Sequence, residues 1–464
     1  MTPTVRLGVT GLARAGKTVF ITALVRNLIV GGRLPFFAAH AQGRIVRAYL
    51  EPQPDDDVPR FAYEDHLATL ARDPPNWPES TRRLSQLRLT IEYRPRSKLK
   101  RSLGMDRIHI DIVDYPGEWL IDLPMLAQTY AQWSNTALSQ AADRRRAEAA
   151  APFLAFLADV RPEAAQDELL AQKGAALFTA YLRRVRSADC GPITEGPGRF
   201  LMPSELEGSP LLTFLPLPLT PETTVARGTF AYMMERRFEA YKTRIVQPLF
   251  RDHFARLDRQ IVLVDALAAI DQGAAAVADL EASLASILAC FKPGASPWLA
   301  SIMPRRIDRI LIAATKADHL HQSSHDRLET ILTDLSTGPR DRARDAGAEI
   351  KTLALAALRS TREAQIEKDG ERLSCIVGTP LAGERIGDTV FDGRRNTAIF
   401  PGDLPDSGQI ARTVERERTR DPDVRFLRFR PHRIAPESPT GDAAPWPHVR
   451  LDRAMEFLIG DHLE

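Results

Sequence analysis

VRLGVTGLARAGKTVFITALV, residues 5–25, opens with an alternating apolar run at Val5, Leu7 and Val9 and closes with apolar residues at helical spacing. Between them lies the pattern G-x-x-x-x-G-K-[ST], filled by Gly11, Gly16, Lys17 and Thr18. Strand, glycine-bearing loop and helix in that order predict a loop that cradles a pyrophosphate. Such a loop turns its backbone N–H groups inward, so it needs glycine where a Cβ would collide or where φ must be positive. Gly11 and Gly16 stand at those points, and Ala13, Arg14 and Ala15, with Val19 just beyond, complete the expected phosphate contacts. The helix runs from Lys17 to about Ile29, is stopped by Gly31 and Gly32, and aims its N-terminal partial positive charge at the anion. Lys17 is expected to reach the β- and γ-phosphates and the Thr18 hydroxyl to ligate Mg²⁺.

The 464-residue chain is 44% hydrophobic and 26% charged, the composition of an ordinary soluble protein long enough for two or three domains. A net charge of +2 gives no sign of a nucleic-acid binder, and the one basic cluster, RPRSKLKRS at 94–102, reads as a solvated turn. No run of about 18 apolar residues suggests a membrane span, and the first strand begins at once. A cytoplasmic location is therefore expected. Cys190, Cys290 and Cys375 match no zinc or disulfide spacing and read as reduced, buried thiols. Only nine of the 62 basic residues are lysine, and two of these, Lys17 and Lys316, lie in motifs where a planar guanidinium is no substitute.

QLRLTIEYRP (86–95) and RIHIDIVD (107–114) alternate apolar and polar residues around a short basic turn, which predicts a hairpin of adjacent strands. The second strand ends in DYPGEW, where Asp114 is placed to hold Mg²⁺ through a water and Gly117 to bring its N–H against a γ-phosphate. Further on, RILIAATKADHL (309–320) sets an apolar strand, Ile310 to Ala313, before Thr315, Lys316 and Asp318. A carboxylate can accept from both the N1–H and the exocyclic amine of guanine, a pair adenine lacks. Asp318 is placed for that role, with the Lys316 stem over the base. The strand in IKTLALAALRST (350–361) then ends in Ala356, Ala357 and Leu358, where a backbone N–H either donates to the guanine carbonyl or serves the fold alone.

GxxxxGK[ST], DxxG and TKxD in this order resemble the motif set of the translation-factor-like P-loop GTPases. More closely, GLARAGKTVF, DYPGEWL, RDHFARLDRQIVLVD, AATKADHL and the C-terminal VRLDRAMEFLIGDHL resemble the YcjX-like family of bacterial stress-inducible P-loop GTPases, over essentially the whole chain. The resemblance implies GTP and GDP binding with Mg²⁺, slow GTP hydrolysis, a stress-response role, and a site in the cytoplasm or peripherally at the inner membrane.

The expected fold is α/β: a GTPase-like core with a mixed, mostly parallel sheet, a large helical insertion and a small β-rich C-terminal appendage. About 200 residues separate Gly117 from Thr315, too many for a bare core, and DRQIVLVDALAAI, with its strand Ile261 to Val264, marks where the core resumes. The expected division is thus core at 1–119, helical insertion at 120–257, core again at 258–363, and appendage at 364–464. The insertion is the surface expected to meet an effector protein. Its proline- and glycine-rich stretch, about Gly191 to Thr220, reads as its most mobile part. Leu451, Ala454, Met455 and Leu458 give the last helix one apolar face, which reads as core.

Residues 34–77 stand where a first switch belongs; Phe36 and Phe37 there form either an exposed patch or buried core. Thr81 in NWPESTRRLS is the candidate to complete Mg²⁺ ligation, against an ordinary polar turn. Glu118 occupies the place of the water-orienting glutamine of Ras-like proteins; it either positions the attacking water or simply opens a helix. Arg14 either folds over the phosphates or points outward. Two other readings stay open: a nucleotide-binding scaffold with negligible hydrolysis, and an ATP-preferring P-loop protein, against which Asp318 argues.

Overall fold

Continuous apolar runs in the middle of the chain give strands buried on both faces, as parallel sheets require. The computed structural model describes residues 2–11, 15–79, 83–96, 105–187, 196–203, 206–219, 225–289, 307–338, 340, 344, 347–368, 370–405, 426–433 and 445–464. Seven strands form the main sheet: β1 (Thr4–Gly11), β2 (Ile45–Glu51), β3 (Ser85–Tyr93), β4 (Asp106–Asp114), β5 (Arg259–Val264), β6 (Arg309–Ala314) and β7 (Glu349–Ala354). Their order is β2-β3-β4-β1-β5-β6-β7. The predicted hairpin is present, β3 pairing antiparallel with β4 from Ser85↔Asp114 to Tyr93↔Asp106. Beyond β4 every neighbour is parallel.

This is the expected α/β P-loop GTPase-like fold. All six residues of β5 are buried. The hairpin carries charge instead, balanced across its register by the Arg88–Asp111 ion pair at 2.6 Å. The chain leaves β1 toward β2–β4 on one side and returns to β5–β7 on the other, so the strand order reverses at β1. In open α/β sheets ligands bind beyond the carboxyl ends of the strands at such a reversal.

Helix α1 (Lys17–Ile29) follows β1. Val5, Leu7, Val9, Phe20 and Leu24 share one core with the final helix, Leu451–Ile459, whose Leu451, Ala454, Met455 and Leu458 are at most 1% exposed. The amphipathic face is therefore core. Phe37 is fully buried in the same cluster, whereas Phe36 stands 57% exposed beneath the Arg453 guanidinium, 4.4 Å from its ring centre. The C-terminal segment adds β8 (Arg362–Lys368), β9 (Glu371–Gly378), the two-residue strands β10 (Arg385–Ile386) and β11 (Thr389–Val390), and β12 (Thr397–Ile399). β12, β9 and β8 form a small antiparallel sheet. Ile376, Ile399, Leu427 and Phe429 make its own small core.

Contacts divide the chain into one unit of residues 1–116, 257–277 and 305–464, and another of 117–256 and 278–304. The C-terminal segment thus groups with the sheet, a difference from the four-part reading of the sequence. Short-range composition marked it as distinct, but its last helix supplies apolar side chains to the main core.

The second unit is helical, with helices Tyr130–Ala141, Ala147–Ala158, Glu168–Ser187 and Phe230–Tyr241. They surround the fully buried Trp133, whose ring lies 5.4 Å from that of Phe214 and 5.2 Å from that of Phe238. Phe214, Leu215 and Leu217 are wholly buried, so the proline-rich stretch contributes to this core, while Glu207, Gly208 and Pro210 of the same stretch are exposed. Proline and glycine break regular structure without making a segment polar. Asp122 is also buried here, accepting from the Tyr241 hydroxyl at 2.6 Å and the Gly198 amide at 2.5 Å; burial pushes its carboxyl up to about 6.

Candidate functional site

The carboxyl end of β1 is where backbone, not side chain, does the shaping. A Cβ on Gly11 would lie 2.6 Å from the Leu263 carbonyl oxygen of β5, so no other residue fits there. Gly16 is constrained differently: nothing lies within 4 Å of a Cβ built on it, but its φ is +83°, which L side chains rarely adopt. No side chain caps α1, and its first turn holds no acid. Its N-terminal amides are thus directed at whatever anion sits there. Lys17, 8% exposed, folds back so that Nζ donates to the Gly11 carbonyl at 3.3 Å. Thr18 is 6% exposed in the first turn.

Asp114 closes β4 in register with Val9 of β1 and is 1% exposed. Among the described residues no three His, Cys, Asp or Glu side chains gather into a metal site. Thr18 and Asp114, an oxygen pair near the loop, suit a hard cation that takes its other ligands from phosphate and water. Gly117 opens the 3₁₀ stretch Gly117–Ala127 in the second unit. Ala13, Arg14, Thr81 and the side chain of Glu118 lie outside the described residues.

The TKxD stretch is fixed by neighbouring strands. The Thr315 amide donates to the Val264 carbonyl at 2.8 Å. Lys316 sits at φ +59°, the left-handed region, and its ammonium is ion-paired with Asp265, which itself caps the following helix through the Ala268 amide at 3.1 Å. A lysine in that region costs about 1 kcal/mol or more. The Asp265 tether fixes the end of the side chain whose stem lies along the pocket. Asp318 is 2% exposed, and its Oδ2 accepts from both the amide (2.6 Å) and the hydroxyl (2.7 Å) of Ser360.

Ala356, Ala357 and Leu358 follow β7, where the sequence predicts a donor to a base carbonyl. Ala356 is not a donor of that kind: its N–H goes to the Val449 carbonyl at 3.0 Å and its own carbonyl accepts from Val449 at 2.8 Å. The bridge to the segment before the last helix uses that amide, which leaves Ala357 and Leu358 as the candidates.

One cavity of about 300 Å³ is lined at one end by Ala15, Gly16, Lys17, Thr18 and Val19 and at the other by Thr315, Lys316, Asp318 and Ala356 to Leu358. Apart from Gly11 and Gly117, the described residues that the sequence predicts for phosphate and base therefore line one space. The lining also includes Trp77, Glu79, His319, Leu381, Arg428 and Phe429, none of which the sequence singles out. Trp77 precedes the candidate switch threonine and its indole is the kind of group that walls a ligand pocket. Nothing local marks Phe429, 352 positions away, whose carbonyl accepts from Trp77 Nε1 at 2.7 Å.

His319 is 6% exposed, and burial pushes its imidazole below the usual histidine range, with Asp318 opposing. Its Nε2 lies 3.3 Å from Ser360 Oγ. The Ser360 hydroxyl has one proton, and at 2.7 Å that proton goes to the Asp318 carboxylate. Ser360 Oγ therefore accepts from His319, which is neutral with its proton on Nε2.

A mostly parallel sheet reversing at a phosphate loop, with an aspartate held at the far end of the same cavity, defines a P-loop protein of the GTPase-like α/β class. The model of the YcjX-like family, DUF463, matches residues 5–463, and the chain belongs to that family. A Ras-like GTPase YcjX of Escherichia coli is 35% identical over 468 residues, covering 99% of this chain and 96% of that protein. One of the same name from Shewanella oneidensis is 32% identical over 479 residues, covering 99% and 94%. No helix among the described residues is long and apolar enough to cross a membrane.

Proposed function

We propose that the protein binds GTP and GDP with Mg²⁺, hydrolyses GTP slowly, and acts as a nucleotide-state switch whose helical unit reports to an effector protein in a bacterial stress response. The observation that carries this reading is the single cavity lined at one end by Gly16, Lys17 and Thr18 and at the other by Lys316 and Asp318. The names of the two relatives point the same way.

In this reading Lys17, Thr18 and the amides of Gly16 and Val19, with Ala13, Arg14 and Ala15, hold the phosphates, and Gly117 meets the γ-phosphate once the nucleotide is triphosphate. Thr18, Asp114 and Thr81 would hold Mg²⁺, which would supply positive charge to offset that of the transition state. Asp318 accepts from the N1–H and exocyclic amine of guanine, and the amide of Ala357 or Leu358 donates to its carbonyl. Glu118 accepts a hydrogen bond from the attacking water. No covalent step on the protein is needed, because positioning and charge offset supply most of the acceleration in phosphoryl transfer. In this reading the protein works in the cytoplasm, or peripherally at the inner membrane, where GTP is available.

Fluorescent GDP, displaced by unlabelled GTP, ATP or XTP in Mg²⁺, tests the binding half. GTP should compete at least a hundredfold better than ATP; equal competition would sink the guanine reading. Phosphate release tests the other half. Glu118→Gln and Glu118→Ala should slow it about tenfold or more at unchanged GDP affinity. Release as fast as the parent's removes Glu118 from the mechanism, and none from the parent makes the protein a binding scaffold.

A further inference from the structure

The base end of the cavity is joined to the C-terminal segment by a run of contacts that no local motif announces. Phe429 is 1% exposed and belongs to the small core with Ile376, Ile399 and Leu427. Its backbone is bridged to Pro380, just past β9. Its ring meets His319 edge to face, with centroids 5.1 Å apart and planes at 74°. From there the contacts pass from His319 Nε2 to Ser360 Oγ at 3.3 Å and from Ser360 Oγ to Asp318 Oδ2 at 2.7 Å. The Trp77 indole donates to the Phe429 carbonyl at 2.7 Å. Phe429, His319, Asp318 and Trp77 all line the cavity.

We propose that Phe429 and His319 are specificity-determining residues, fixing through Ser360 the angle at which Asp318 meets the base, so that the C-terminal segment sets the preference for guanine. The inference rests on the guanine reading above and deepens it. The carboxylate has one oxygen tied to Ser360, and only its orientation decides whether it can accept from N1–H and the exocyclic amine together. A bidentate contact is more sensitive to angle than a single one. His319 is a neutral Nε2 donor whose ring is stopped by that of Phe429, with centroids 5.1 Å apart; with that ring removed, imidazole, hydroxyl and carboxylate turn as a group. Among the described residues the phosphate loop has no part in this chain of contacts.

Inosine diphosphate lacks the exocyclic amine and is otherwise GDP, so the ratio of the two dissociation constants reads the second hydrogen bond alone. Both constants are measured on the full chain by displacement of fluorescent GDP. In the parent, GDP should bind at least tenfold tighter than inosine diphosphate. Phe429→Ala and His319→Ala should each reduce that ratio about fivefold or more. Trp77→Phe, which keeps the ring and loses the donor, should reduce it about twofold.

Gly378→Ala acts on Phe429 without altering it, because the new methyl would lie 2.7 Å from the Phe429 ring, and it should lower the ratio in the same direction. It stands in if Phe429→Ala fails to fold. Equal weakening of both nucleotides, or an unchanged ratio, overturns the proposal: Phe429 then only packs. A parent that binds ADP as well as GDP overturns the guanine reading itself, a separate and recognisable result.

Discussion

The two ends of the cavity are built on opposite plans. The phosphate end comes from one continuous stretch, β1 to α1, and depends on backbone: Gly11 leaves room beside Leu263, Gly16 takes φ +83°, and Lys17 folds back to Gly11. The base end is assembled from segments as far apart as Trp77 and Phe429, and depends on side chains: Asp318 held by Ser360, Lys316 tethered to Asp265, His319 against Phe429. Backbone amides are the same in any sequence, so a phosphate can be held by a short motif. One particular base needs donors and acceptors aimed from several directions, and only a folded chain brings those together.

That contrast predicts a separation of effects. The largest is expected at Lys17: removing a cation from a buried anion contact costs about 3–5 kcal/mol, near a thousandfold in affinity. Lys17→Ala should weaken GDP and inosine diphosphate by equal factors in fluorescent-nucleotide titrations. A changed ratio between them would break the comparison. Next comes Asp318→Asn, which turns one acceptor into a donor. GDP affinity should fall about a hundredfold and xanthosine diphosphate, with a carbonyl in place of the amine, should gain; a variant that binds like the parent makes TKxD an ordinary loop.

A smaller effect is expected at Ser360→Ala. The Asp318 carboxylate loses the hydroxyl donor but keeps the Ser360 amide at 2.6 Å. One such hydrogen bond is worth about 1–2 kcal/mol, so the preference for GDP over inosine diphosphate should drop severalfold with the phosphate end intact. Loss of both nucleotides together would show that the two ends are not independent.

The smallest effect is in pH. His319 faces Asp318, Lys316, Asp265 and Glu384, and burial is the largest influence on it, lowering its proton affinity. An imidazole held below its unfolded value of about 6.5 contributes stability above that pH. The contribution is lost as pH falls from about 6.5 through the lowered folded value. Protonating His319 also turns a neutral contact with Ser360 into a charged one. The guanine preference should therefore decline modestly between pH 7 and 5, and the unfolding midpoint with it. His319→Gln should flatten that part of both profiles; profiles that do not change assign the titration to another group.

How legible the molecule was in its sequence follows the same division. The β3–β4 hairpin, the strands at 261–264 and 310–313 and the apolar face of Leu451–Leu458 were readable because each is a periodic pattern within about a dozen residues. Within the helical insertion, the break between the helix that ends at Ala158 and the one that restarts at Glu168 falls around Arg161 and Pro162, which the insertion's composition did not mark. Phe214 and Leu217 of the proline-rich stretch are buried in the helical unit, which its composition did not mark. Phe36 and Phe37 are adjacent and chemically identical, yet one is 57% exposed and the other fully buried.

From residues 5–25, 107–119 and 309–320 alone come the class of protein, the glycine-bearing loop and the aspartate proposed to meet the base, because glycine conformation, strand periodicity and helix starts are imposed by neighbours in sequence. Folding alone brought His319, Phe429 and Trp77 beside that aspartate, gave the Ala356 amide to Val449, and put the last helix into the first strand's core. Contacts of that kind join residues hundreds of positions apart. They arise from burying apolar faces of any matching sequence against one another, and that is information no local pattern holds.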